Sequence, residues 1–277
     1  MIITRFWGVR GSVPAPGPHT VQVGGNTSCV EVRCGEVRLV FDGGTGLRLL
    51  GKEIVGESPL TLHLFFSHVH WDHIQGFPFF APAFVPGNTI HLYGAANVYG
   101  TIEAAMAGQM EFPNFPVKLS QLPSTLVFHD LSDSDEVTVA DGVRVRTAPG
   151  NHPGGVLAYR VESGGHAVVY ATDTEHFEDR IDGGLVELAR GADALIYDSQ
   201  YTPEEYRGEP APAKIGWGHS TFVAGARVAR EAGVKQYVLF HHDPDQDDAA
   251  VRDKERRARE LFEPSIAAYE GLELRLG

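Results

Sequence analysis

Phe66-Ser67-His68-Val69-His70-Trp71-Asp72-His73-Ile74-Gln75-Gly76 is the stretch on which the reading of this chain turns. Four potential metal ligands, His68, His70, Asp72 and His73, fall within six positions. They follow Leu62-His63-Leu64-Phe65-Phe66, a run that reads as a buried strand. His68 and His70 are two apart, so they share a side while the backbone stays extended. Asp72 and His73 follow where the chain turns. A loop at the mouth of a sheet can aim all four at one place. Imidazole and carboxylate in this density suit zinc, manganese or iron.

Working outward, further ligand types sit just after other apolar runs. His152 lies in Ala148-Pro149-Gly150-Asn151-His152-Pro153, Asp173 in Val169-Tyr170-Ala171-Thr172-Asp173, and His241 and His242 follow Leu239-Phe240. His19, His63, His91, His129, His166 and His176 have no matching spacing and read as structural or solvated side chains.

Strands are expected at 2–8, 28–34, 37–42, 60–66 and 89–93, then at 125–129, 136–139, 143–149, 156–162, 167–171, 194–197, 236–240 and 272–276. Helices are expected at 47–54, 95–108, 181–190, 221–232 and 247–263. Residues 77–84 and 109–123 are aromatic, broken by proline, and read as irregular; 109–123 forms a flap. Strand-rich segments followed by βα units occur in both halves. That pattern predicts two packed mixed β-sheets with helices outside, an αββα sandwich, formed by residues 1–277 as one domain.

The chain has 277 residues, 43% hydrophobic and 21% charged, with a formal net charge of −13. A protein that grips long nucleic acid through its phosphates usually presents a basic face, so the acidity argues against that partner and fits a small substrate. Cys29 and Cys34 are five apart, on opposite faces of one strand, which disfavours a disulfide between them. Two free thiols point to a reducing, cytoplasmic location. The start shows no secretory pattern, and no apolar run approaches the ~20 residues that span a bilayer.

The pattern His-x-His-x-Asp-His resembles the signature of the metallo-β-lactamase superfamily, whose members mostly hydrolyse esters, amides or phosphodiesters at a dinuclear metal centre. The resemblance implies two divalent ions, zinc foremost, with manganese or iron as alternatives. It implies that His68, His70 and His152 hold one ion and that Asp72, His73 and His241 hold the other, with Asp173 bridging. The stretch around His241 resembles Leu-x-His-Phe-Ser in ribonuclease Z-like proteins, which favours His241 over His242. Gly218-His219-Ser220-Thr221 ahead of an alanine-rich helix also resembles ribonuclease Z. Carried over, His219 donates a proton to the leaving oxygen or stabilises the scissile phosphate. Asp198 orients it, although ribonuclease Z has glutamate at the matching place. Ser220 or Thr221 is alternatively a helix N-cap.

Phe6-Trp7-Gly8-Val9-Arg10-Gly11-Ser12, Gly24-Gly25-Asn26-Thr27-Ser28-Cys29 and Phe41-Asp42-Gly43-Gly44-Thr45-Gly46 resemble a bacterial subgroup of metal-dependent phosphodiesterases, some acting on cyclic nucleotides. No glycine-rich, Lys/Arg-rich arm for gripping tRNA is evident. Arg10, Asn26 and Thr27 lie in loops that could face the site, Arg10 as a candidate phosphate ligand. Asp42 reads as a brace for a metal-ligating histidine, or as a turn residue. The expected function is a dinuclear metal-dependent hydrolase, a phosphodiesterase on a small or cyclic nucleotide-type substrate, working through a metal-bridging hydroxide with Asp72, His219 and Asp198 as catalytic residues. The alternatives are hydrolysis of a lactone or thioester on the same site, or a non-catalytic metal sensor. The apolar 77–84 and 109–116 segments are candidates for a homodimer contact.

Overall fold

The computed structural model describes residues 1–95, 100–209 and 211–277. Among them the strands are β1 (Ile2–Gly8), β2 (Cys29–Cys34), β3 (Val37–Phe41), β4 (Thr61–Phe65), β5 (Thr89–Ala95), β6 (Thr125–Leu131), β7 (Glu136–Ala140), β8 (Val143–Gly150), β9 (Val156–Ser163), β10 (His166–Ala171), β11 (Ala194–Asp198), β12 (Tyr237–Phe240), β13 (Ser265–Ala267) and β14 (Glu273–Leu276). The α-helices are α1 (Gly46–Ile54), α2 (Trp71–Ile74), α3 (Ile102–Gly108), α4 (Gly183–Ala189), α5 (Pro203–Arg207), α6 (Phe222–Ala232) and α7 (Asp248–Leu261). Two seven-stranded sheets result, ordered β14-β1-β2-β3-β4-β5-β6 and β13-β12-β11-β10-β9-β8-β7. This is the expected αββα sandwich.

Each sheet has an antiparallel part and a parallel part. In the first, β14, β1, β2 and β3 alternate in direction, and β3 to β6 run parallel. In the second, β7 to β10 alternate, and β10 to β13 run parallel. Parallel neighbours need a crossover connection, which is where the helices sit. The chain therefore leaves the C-terminal ends of β3, β4, β10, β11 and β12 through loops that can carry function.

The packing follows the alternation of side chains along each strand. On β4, Leu62 and Leu64 face outward under Leu47, Leu50 and Ile54 of α1. Phe65 faces the other sheet with Phe41, Tyr159 and Tyr170. Phe41 and Phe65 stack at 5.4 Å, and Tyr159 tilts against Phe41 at 5.5 Å. The tyrosine hydroxyls are not wasted in this core: Tyr159 donates to Phe66 O at 2.6 Å, pinning the second sheet to the strand that leads into the histidine cluster.

Several expectations shift. The helix expected over 95–108 is α3, which starts at Ile102 after the N-cap Thr101; residues 96–99 of that expectation lie outside the described residues. The 109–123 flap contains a 3₁₀ turn at Leu119–Gln121, and its Met110, Leu119 and Leu122 are buried against the outer core. α5 was not expected, although Thr202-Pro203-Glu204-Glu205 is a capping box with proline at the first turn. The three-residue β13 is too short for any periodicity to reveal. Cys29 and Cys34 are both buried and free.

Candidate metal centre

The ends of the parallel strands converge. After β4, the chain stays extended through His70 (φ −64°, ψ 154°) and then winds into the single turn of α2, which carries Asp72 and His73. The turn is held by backbone bonds to the Asp42-Gly43-Gly44 loop after β3: Gly43 N donates to His73 O at 2.6 Å, and Gly76 N to Gly43 O at 2.8 Å. Across the sandwich, β8 delivers His152, β10 Asp173, β11 Asp198 and β12 His241. Asp42, Asp173 and His241 each follow a parallel strand and each has positive φ (60°, 52° and 60°). Left-handed backbone at non-glycine residues costs about 1–3 kcal/mol apiece, and it collects where the surroundings impose it.

Three groups of possible ligands form among the described residues: the two expected sets, and one of Asp173, Asp198, His219 and His241. The imidazole nitrogens of His68, His70 and His152 lie within 4.8 Å of one another, as do the ligand atoms of Asp72, His73, Asp173 and His241. In the second set His73 Nε2 is 3.1 Å from Asp72 Oδ2 and 3.3 Å from Asp173 Oδ1. His241 Nε2 is 3.3 Å from Asp72 Oδ2 and 3.2 Å from Asp173 Oδ1. In the first, His152 Nε2 is 3.2 Å from His70 Nδ1. Ligands ~2.0–2.1 Å from a tetrahedral ion lie about 3.3 Å apart, so these spacings are those of donors around a common centre. Asp173 faces both sets: its other oxygen, Oδ2, is 3.8 Å from His68 Nε2.

The donor chemistry fits divalent ions. His68 Nε2 and His73 Nε2 are buried with no hydrogen-bond partner among the described residues. Burial, reinforced by neighbouring histidines, pushes His68 well below the usual histidine pKa and also lowers His70 and His152, leaving neutral imidazoles with free lone pairs. His73 goes the other way. Burial opposes its charge, but Asp173, Asp72 and Asp42 hold it well above the ordinary value. Burial likewise disfavours charge on Asp72 and Asp173, yet the adjacent histidines hold both carboxyls well below their usual range. The buried carboxylates demand positive charge, and either an imidazolium or a metal cation satisfies them.

A second layer orients the first. Asp42 accepts from His73 Nδ1 at 2.7 Å, Ser67 N at 2.7 Å, Ser67 Oγ at 2.8 Å and Tyr170 OH at 2.7 Å. His241 Nδ1 donates to Gln200 Oε1 at 2.9 Å, and His152 Nδ1 to Gly218 O at 2.9 Å. Each bond fixes a tautomer and turns Nε2 toward the centre. Ser12 N reaches Asp72 Oδ2 at 2.7 Å. Gly11 beside it has no room for a side chain: a Cβ there would lie 2.4 Å from the His241 ring.

His219 stands against the cluster. Its Nδ1 donates to Asp198 Oδ2 at 2.9 Å, and its ring stacks 5.0 Å from that of His241. Burial works against its protonation, but Asp198, Asp173 and Asp72 raise its pKa to about 9. Asp198 Oδ1 also accepts from Ser220 N at 3.0 Å. Thr221, whose hydroxyl accepts from Ala224 N, is the N-cap of α6, and Ser220 Oγ bonds His176 Nδ1 at 3.0 Å.

The structure brings His68, His70, Asp72, His73, His152, Asp173, His241, His219 and Asp198 together. It turns His242 away, toward Ala268 O at 3.0 Å. Arg10 as a phosphate ligand is overturned. Its guanidinium is buried and donates to the carbonyls of Gly24, Asp243 and Gln246, so its charge ties the β1–β2 loop to the β12–α7 loop instead of meeting substrate. Asn26 is likewise engaged, by Glu270. Ser67, Tyr170 and Gln200 escaped the sequence reading. They belong to no ligand spacing, and their roles come only from where the strands place them.

Residues 38–242 match the family model of the beta-lactamase superfamily domain. A ribonuclease Z of Bacillus subtilis (strain 168) is 25% identical, with 76% of this chain aligned to 80% of that protein. The crystal structure of the metallo-beta-lactamase fold protein YhfI from Bacillus subtilis superposes with a TM-score of 0.72 at 21% identity, covering 100% of this chain and 99% of that one. The short form of human tRNase Z gives a TM-score of 0.68 at 18% identity, with 99% of each chain covered.

Proposed function

This chain belongs to the beta-lactamase superfamily, and on that footing we propose that it is a dinuclear metal-dependent phosphodiesterase acting on a small or cyclic nucleotide-type phosphodiester. The observation that carries the reading is the His219–Asp198 pair beside two ligand sets, with Asp173 of the second 3.8 Å from His68 of the first. His68, His70 and His152 would hold one ion and Asp72, His73 and His241 the other, with Asp173 placed between the two sets. The ions, proposed as zinc, supply Lewis acidity that lowers the pKa of water and offsets charge growing on the phosphoryl oxygens. Asp198 fixes His219 with Nδ1–H inward, so Nε2 carries a proton to the leaving oxygen. The ribonuclease Z relatives support a phosphodiester as the bond broken.

The net charge of −13 supports a small substrate over a long polyanion. The relatives' name favours one other reading, an RNA substrate. The two free buried thiols support a reducing, cytoplasmic location. Pairing of β14 with β1 supports one hydrolase domain over residues 1–277. Phe79, Phe84 and Phe112 are exposed and support a homodimer contact through the 77–84 and 109–116 segments. Among the described residues, no helix is long and apolar enough to cross a membrane.

The test is a panel on the metal-loaded protein: bis(p-nitrophenyl) phosphate, 2′,3′- and 3′,5′-cyclic nucleotides, a lactone, a thioester and a precursor tRNA. Diester turnover is expected, with Asp72→Ala abolishing it in a folded protein and His219→Ala lowering kcat more than it raises KM. Diester turnover persisting in Asp72→Ala overturns the assignment. Preference for the lactone or thioester, or for the tRNA, transfers it to the corresponding rival.

A further inference from the structure

Glu175 lies two residues beyond Asp173 and is 8% exposed. Its Oε1 accepts from Gly216 N at 2.7 Å and Tyr206 OH at 2.5 Å, and its Oε2 from Gly218 N at 2.9 Å. Its own backbone is tied to the loop that carries His152: Glu175 N donates to Asn151 O at 2.8 Å, and Asn151 Nδ2 to Glu175 O at 3.0 Å. Gly218 closes the circuit, because its carbonyl takes the Nδ1–H of His152 at 2.9 Å. The approach is too close for any side chain. Gly218 has φ +84°, and a Cβ would fall 2.2 Å from His152 Nδ1. The next residue is His219.

We propose that Glu175 is a positioning residue that couples His152 to His219. It holds the Gly216–Gly218 turn by two backbone amides, so that one glycine both fixes the tautomer of His152 and sets the start of the segment bearing His219. A buried carboxylate is costly unless its lone pairs are filled. Here two amides and a hydroxyl fill them through charge-assisted bonds, which are shorter and stronger than neutral ones. The inference rests on the assignment of His152 as a ligand and His219 as proton donor. A clasp that merely stabilised a surface turn would leave the metal site unchanged.

The experiment compares Glu175→Gln and Glu175→Asp with the wild-type full chain. Glutamine has the same shape but only one acceptor oxygen for two amides. Metal affinity is read by competition with a chromophoric chelator, and the visible spectrum is recorded on the cobalt(II)-loaded protein. Turnover of bis(p-nitrophenyl) phosphate is measured in the wild-type and His219→Ala backgrounds. Loss of a partner that orients a ligand typically weakens metal binding by about 10–100-fold, and for Glu175→Gln we expect about tenfold with an altered cobalt spectrum. Glu175→Asp should restore part of it. The loss of kcat should be smaller in the His219→Ala background, since coupled residues are not additive. Unchanged affinity and cobalt spectrum in folded Glu175→Gln, or a kcat loss that simply multiplies with His219→Ala, overturns the proposal. If the glutamine variant does not fold, Glu175→Asp decides alone: a graded loss of affinity supports the clasp and none overturns it. Should the wild type cleave no phosphodiester, the function fails by itself, while the affinity and cobalt comparison still judges Glu175.

Discussion

Asp42 takes four hydrogen bonds on one buried carboxylate and does so from a left-handed backbone, φ 60°. Asparagine tolerates that backbone, so Asp42→Asn isolates the charge from the conformation. Its amide cannot accept all four donors, and His73 loses the carboxylate that fixes its Nε2. Metal binding at the His73 set should weaken about 10–100-fold while far-UV circular dichroism stays native; chelator competition measures it, and wild-type affinity would refute the brace. Arg10 carries a different lesson at this scale. An arginine in a loop next to a hydrolytic site invites a phosphate role, but this one is buried and its Nε and Nη1 are spent on three backbone carbonyls.

At the scale of the element, β4, β5 and β6 form an unusual ladder. His63 stacks on His91 at 4.8 Å, and His91 stacks on His129 at 5.3 Å, with His91 Nδ1 and His129 Nε2 sharing a hydrogen bond of 3.0 Å. Parallel register sets His63 level with His91, and His129 two residues further along, level with Tyr93, on the face that also carries Phe65. Burial, with repulsion from His91 and His129, lowers His63 to about 4; burial also lowers His91 and His129. A histidine whose folded pKa is depressed leaves the unfolded state binding more protons between the two values. The stability it contributes is complete above pH ~6.5 and is lost as pH falls toward 4. We expect the urea midpoint to fall across that window and His63→Phe to flatten the fall. An identical slope in the variant would remove the ladder from the acid response.

For the whole molecule, the metal ligands come from both sheets: His68, His70, Asp72 and His73 from the β4 crossover, and His152, Asp173 and His241 from the facing sheet. Bound ions would staple the sandwich at one edge, and anything that binds the folded state alone stabilises it. At one hundred times the dissociation constant that is about 2.7 kcal/mol, worth roughly 5–10 °C in a domain of this general size. Calorimetry with zinc and then with excess chelator should show a drop of this order. A Tm indifferent to chelator would mean that the clusters hold no structural ion.

The sequence alone determined the sandwich class, the two-sheet βα logic and the residues that gather at the site, because strand periodicity and ligand spacing are local properties of the chain. His68, His70, Asp72 and His73 could be singled out because they share one short turn. His152, Asp173 and the His241–His242 pair could be singled out because each follows closely on an apolar run, and the resemblance to ribonuclease Z favoured His241. Only the tertiary structure decided how Arg10 is used, which way His242 points, and that Ser67, Tyr170, Gln200 and Glu175 stand behind the ligands. Those roles depend on partners 14 to 236 positions away, brought together by the packing of the two sheets and their loops. A hydrogen bond across two sheets is directional to within fractions of an ångström, and no pattern along one strand encodes it.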